Sequence, residues 1–139
     1  MFKYLISILL SLFFTISFAQ HVNYSLRMPK PQNHYYHVEM ELNDVKSKEV
    51  NVKMPIWAPG SYLAREFAKH VNLVKAYDEN GKDLIVKKTD KNTWKVTREN
   101  ASKITINYEV YAFELSVRTS FLDLTHGFVS GSGVFMYVE

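Results

Sequence analysis

Ile104-Thr-Ile-Asn-Tyr-Glu-Val-Tyr-Ala112 decides the fold. Its odd members Ile104, Ile106, Tyr108, Val110 and Ala112 are apolar or aromatic. Thr105, Asn107 and Glu109 lie between them. A period of two places alternate side chains on opposite faces of an extended chain, so this is a strand with one buried and one wet face. Tyr36, Val38, Met40 and Leu42 repeat the pattern against His37, Glu39 and Glu41, as do Val50, Val52, Met54 and Ile56 around Asn51 and Lys53. Shorter candidates are 22–28, 71–77, 84–88, 93–97, 115–121 and 134–138. No stretch carries a helix-length 3.6 repeat. The turn signals fall between the strands. Asn80-Gly81 suggests a tight hairpin with positive φ, Asp90-Lys91-Asn92 separates the next pair, and Pro29 and Pro31 close the first strand. The expected fold is all-β, an antiparallel sandwich of eight to nine short strands.

One segment breaks the rhythm. Ala58-Pro59-Gly60-Ser61 is a turn, since Pro59 fixes its own φ and Gly60 accepts a positive one. Leu63 and Phe67 then stand four apart, which suggests one or two helical turns capped by Ser61. The expectation is a loop or helical excursion near 59–70, packed over the sheet edge with Tyr62, Leu63 and Phe67 pinned to the core.

The first 20 residues read as an address. Lys3 supplies a positive n-region, Leu5 to Phe14 is almost wholly apolar, and Ser17 and Ala19 occupy the −3 and −1 positions of a cleavage site. Residues 1–19 are therefore expected to be a signal peptide. The apolar core is short for a span, so no stable membrane anchor is expected after cleavage. Residues 20–139 are expected to form one domain of an exported, periplasmic or extracellular protein.

Composition narrows the chemistry. The 139 residues include no Cys, which removes disulfides, Cys-ligated metals and thiol nucleophiles. The formal charge of +3 arises from 17 basic residues interleaved with 14 acidic ones, so no nucleic-acid partner is expected. Lys82, Lys87, Lys88, Lys91, Lys95 and Arg98 read as a solvated hairpin face. The five histidines form no His-Glu-x-x-His; His34 and His37, three apart, would point to opposite faces of a strand. Ser61 lies outside any Gly-x-Ser-x-Gly elbow. The run from Gly127 to Gly133 lacks the helix and lysine of a phosphate loop and reads as a flexible loop between strands, with a ligand-facing role left open. Trp57, Trp94, Tyr35, Tyr62 and Tyr111 are open to two readings, sugar stacking or core and interface packing. Residue pattern alone reaches an exported β domain without an evident active site.

A resemblance goes further. Trp57-Ala-Pro-Gly-Ser-Tyr-Leu-Ala-Arg-Glu-Phe67 is similar to the Trp-Thr-Pro-Gly-Ser-Tyr-x-x-Arg-Glu-Phe signature in the N-terminal domain of the M61 family of metallopeptidases, glycyl-aminopeptidase-like enzymes that usually also carry a PDZ domain. Ala58 stands where that signature commonly has Thr. Tyr108 to Asp123, His126-Gly-Phe128 and Phe135-Met-Tyr137 extend the likeness over most of 22–138. The resemblance implies a larger zinc aminopeptidase with a thermolysin-like catalytic domain. No zinc ligand carries over, because no position here matches one. The chain would be the non-catalytic front domain, without a cofactor of its own and incomplete at its C-terminus, with an open sheet edge. Its partners would be the catalytic domain and the parent's peptide substrate. Trp57, Pro59, Gly60, Ser61, Tyr62, Arg65, Glu66, Phe67, Arg118 and Gly131 are the candidates for the substrate cleft or the domain interface. Structurally the same motif could be a packing device. The alternative function is a free-standing secreted β-sandwich binding module using its aromatics.

Overall fold

The computed structural model describes residues 21–139; the signal-peptide reading lies outside the described residues. Ten strands follow in order: β1 (Val22–Arg27), β2 (Tyr35–Leu42), β3 (Glu49–Lys53), β4 (Val71–Tyr77), β5 (Asp83–Asp90), β6 (Thr93–Thr97), β7 (Ile104–Tyr111), β8 (Phe121–Leu122), β9 (Gly127–Phe128) and β10 (Tyr137–Val138). Eight make one curled antiparallel sheet in the order β1-β2-β7-β4-β5-β6-β3-β10, and β8 pairs with β9. The described residues contain no α-helix.

The alternating runs fall where their pattern requires. Tyr36, Val38, Met40 and Leu42 are buried on β2, and Ile104, Ile106, Tyr108 and Val110 on β7. The two strands pair over their whole length, from Tyr35↔Tyr111 to Leu42↔Ile104. On β3, Val50 and Val52 are buried beside Val96 and Trp94 of β6. These faces meet in one core, joined by Val134 and Met136. β5 links the two layers. It touches β4 only through Ala76↔Leu84 and Tyr77↔Asp83, then pairs with β6 from Ile85 to Asp90. The result is sandwich-like, as the alternation implied.

Local chemistry changes several details. The Asn80-Gly81 turn is longer than a two-residue hairpin, because only Gly81 takes a positive φ, +80°. Asp78 Oδ1 instead accepts the N–H groups of Asn80 and Lys82, both at 2.8 Å. β4 bulges between Asn72 and Lys75, where Leu73 adopts φ 51° and turns out to solvent. His34 precedes β2 at φ 64°, outside the strand that holds His37. Arg98 is no solvated charge: its guanidinium donates to Val45 O at 2.6 Å and Ala101 O at 3.0 Å.

The C-terminal third departs furthest. Of 115–121, expected as a strand, only Phe121 is extended, and residues 114–119 close a turn with the Thr119 hydroxyl on Glu114 O. Of 134–138, only Tyr137 and Val138 form a strand. Gly127 to Gly133 is not a loose connection. It holds β9 and a 3-10 turn at Gly131–Gly133. A methyl on Gly127 would stand 2.7 Å from the Tyr36 hydroxyl, so glycine is needed for close approach.

Candidate functional site

The excursion begins where Met54 leaves the sheet. Asn92 holds that point twice, through its backbone carbonyl on Met54 N at 2.9 Å and its Nδ2 on Met54 O at 2.8 Å. Ala58 to Ser61 then forms the expected turn: Ser61 N donates to Ala58 O at 3.1 Å and Gly60 has φ +72°. The expected helix is absent. The Ser61 hydroxyl meets Leu63 O and the Arg65 guanidinium rather than a helical N–H. Arg65 N returns to Ile56 O at 2.6 Å and closes the loop. A 3-10 turn follows at Phe67–His70, with Glu66 at its N-cap position and no side-chain cap. Its tightness suits the short stretch, since an isolated helix of two turns is unstable.

Phe67 alone pins the excursion as expected. Its ring is buried against Gly133, where a methyl group would come within 3.4 Å of Cδ1. Tyr62 and Leu63 do the opposite and face solvent, and Trp57 is half exposed. The reason is the Ser61–Arg65 contact, which folds the loop back on itself and leaves its apolar tip outward.

An open cleft of about 790 Å³ lies between this excursion and the β5–β6 turn. Arg65, Glu66 and Lys69 line one side and Lys88, Asp90 and Lys91 the other. Ile56, Leu63, Ala64 and Ala68 supply apolar lining. Lys88 Nζ stands 4.8 Å from the centre of the Trp94 ring, whose own body is buried in the core.

A second surface lies beyond Phe67. The turn after β7 meets the 3-10 turn through Glu114, which lies 3.8 Å from Lys69 and 3.7 Å from His70. Burial holds the His70 imidazole below its ordinary pKa; Glu114 opposes this and Lys69 adds to it. Leu115 and Val117 project from this turn at 89% and 84% exposure. Phe113 and Phe128 are half exposed beside them. The rings of Phe113, Phe121 and His126 stack in sequence, at centroid distances of 5.1 and 5.0 Å. His34 extends the row at 3.8 Å from Phe113, its Nδ1 2.6 Å from Leu122 O. The Asp123 carboxyl is held down at about 2 by the Thr125 hydroxyl and the backbone N–H groups of His126 and Thr125.

Of the sequence candidates, Trp57 to Phe67 form one continuous excursion, and Gly131 joins it through the turn that carries Gly133. Arg118 does not join the cleft; it sits exposed on the 114–119 turn. Sequence reasoning missed the opposite wall, Lys88 to Asn92, and the apolar turn at Leu115 and Val117. No local signal marks the first, because it faces the excursion only through the β3–β6 pairing. The second has the alternation of a strand without a partner strand.

Residues 23–139 match the family described as the peptidase M61 N-terminal domain. The chain belongs to this family. The crystal structure of an aminopeptidase N family protein from Idiomarina loihiensis is similar to this M61 N-terminal domain, with a TM-score of 0.80 and 34% identity. The likeness covers 86% of this chain and 20% of that one, so the chain spans about one fifth of the relative's length. Among curated proteins nothing matches.

A metal is consistent with the M61 metallopeptidase family but does not fit here. Among the described residues no three His, Asp or Glu side chains come together to hold one. Nor is any helix among them long and apolar enough to cross a membrane.

Proposed function

We propose that this M61 N-terminal domain is the non-catalytic front part of an exported zinc aminopeptidase. In this reading it supports a thermolysin-like catalytic domain and its Trp57–Phe67 excursion borders the peptide cleft of that enzyme. The supporting observation is the apolar turn. Leu115 and Val117 are almost wholly exposed and line one shallow groove with Phe121 and Phe128. Contiguous apolar surface of this kind marks a docking site. The other reading, a free-standing binding module, calls for rings turned outward on one sheet face. Here Trp94 is buried, and the exposed rings of Trp57 and Tyr62 lie on the excursion rather than in a row on a sheet face.

The test supplies the remainder of an M61 peptidase as a separate polypeptide and measures association with this chain. Tight association is expected, weakened about 100-fold in the double variant Leu115→Glu, Val117→Glu at unchanged Tm. Equal association of the two forms would sink the proposal. Export is tested by fractionating cells and sequencing the mature N-terminus, expected at Gln20.

A further inference from the structure

Two cations of the cleft form no ion pair with a carboxylate among the described residues. The Arg65 guanidinium meets only the Ser61 hydroxyl, 3.3 Å from Nε and 3.2 Å from Nη2, and pairs with no described carboxylate. Its Nη1 makes no hydrogen bond to a described residue. Lys88, across the cleft, lies over Trp94 and has no acidic partner among the described residues either. The other two cations are loosely paired, Lys91 at 3.9 Å from Glu66 and Lys69 at 3.8 Å from Glu114. Among the described residues Glu66 and Asp90 are the only carboxylates in the lining, which is therefore net positive.

We infer that this cleft binds the carboxylate of a short peptide, with Arg65 as its fork and Lys88 as the opposing charge. A guanidinium presents parallel N–H donors that match a planar carboxylate. Ser61 holds the fork from one side and leaves Nη1 and the second N–H of Nη2 for the ligand. The apolar lining beside the cations suits the side chains next to a peptide carboxylate, and a volume of about 790 Å³ accepts a few residues. The inference deepens the proposed role of the excursion. It rests on that reading for the peptide, and on the cleft alone for the anion.

The experiment titrates the isotopically labelled chain with N-acetyl-trialanine as the free acid and follows backbone amide shifts. Saturable shifts are expected at Arg65, Lys88 and Lys91, weakening as salt rises from about 50 to about 500 mM. The C-terminal amide of the same peptide should bind about tenfold more weakly. N-acetylglutamate amide separates the sources. Binding equal to the free acid assigns an acidic side chain, and weaker binding assigns a peptide C-terminus. Inorganic phosphate binding as well as the free acid overturns the carboxylate assignment, and so does a lack of shifts with every probe. Arg65→Gln should weaken the free acid about tenfold at unchanged Tm. Should that variant fold poorly, Lys88→Gln, whose side chain lies on the surface, should weaken it about threefold. Wild-type affinity in both variants overturns the inference. Loss of docking to the remainder of a peptidase, with these shifts intact, removes the reading above and leaves the carboxylate site standing.

Discussion

The Tyr108 hydroxyl serves the backbone of Val134 and Met136 at once, donating to Val134 O and accepting from Met136 N, both at 3.0 Å. Both bonds are buried. Burial also pushes the phenol well above its ordinary pKa, so it stays a donor at any physiological pH. Tyr108→Phe leaves a buried carbonyl and a buried N–H without partners. The expected cost is about 2 kcal/mol, seen as a fall in Tm of about 8 °C. A fall under 2 °C, by the same reckoning about half a kcal/mol, would mean that water replaces the hydroxyl.

Gly127 is fixed by space rather than by backbone angle. A Cβ there would meet the Tyr36 hydroxyl at 2.7 Å and Leu122 Cδ1 at 3.3 Å. Tyr36 is fully buried and donates to Phe121 O at 2.9 Å, so it has little room to retreat. Gly127→Ala should destabilise by about 1–3 kcal/mol, measured by urea unfolding. Gly81→Ala, where no atom lies within 4 Å of the added methyl, should act only through its positive φ, at about 1 kcal/mol.

His70 gives stability a pH dependence. Its folded pKa lies below the ordinary value because burial disfavours the imidazolium, with Glu114 opposing and Lys69 reinforcing. As pH falls, the unfolded chain therefore takes the proton first. Stability is full above about pH 6.5 and declines as pH drops from there toward the folded pKa. His70→Asn should flatten the Tm profile between about pH 7.5 and 5. An unchanged slope would assign the dependence to another group.

Leu115 and Val117 should be dispensable for folding. Both project into solvent, so Leu115→Ser and Val117→Ser are expected to alter stability by no more than about 0.5 kcal/mol. Their effect should appear in solubility instead, as less self-association by light scattering. A large drop in Tm would show that the turn packs in solution.

The core strands were legible because burial on one face writes itself into a period of two. Tyr36 to Leu42 and Ile104 to Ala112 needed nothing more. The Pro59-Gly60 turn was equally local, since both residues constrain their own φ. The excursion beyond it was not. Leu63 and Phe67 carry helical spacing, but Ser61 spends its hydroxyl on Arg65 and the chain kinks outward instead. Leu115 to Phe121 failed for a different reason: alternation shows that a segment can be extended, and only a partner strand makes it so. The cleft was half visible, because its motif wall is continuous in sequence while Lys88 to Asn92 reach it through strand pairing.

The tail strand sets an order in time. β10 pairs with β3 through Tyr137↔Lys53 and Val138↔Val52, and Met136 fills the space between the layers. β2 must likewise wait for β7, with Tyr35 opposite Tyr111. A chain emerging from the ribosome therefore offers Val52, Met54 and Tyr108 to water until its residues near 138 are free. Such distant pairings close slowly, in roughly milliseconds to seconds. Until then the nascent molecule is a set of sticky half-sheets, suited to a chaperone and vulnerable to a protease.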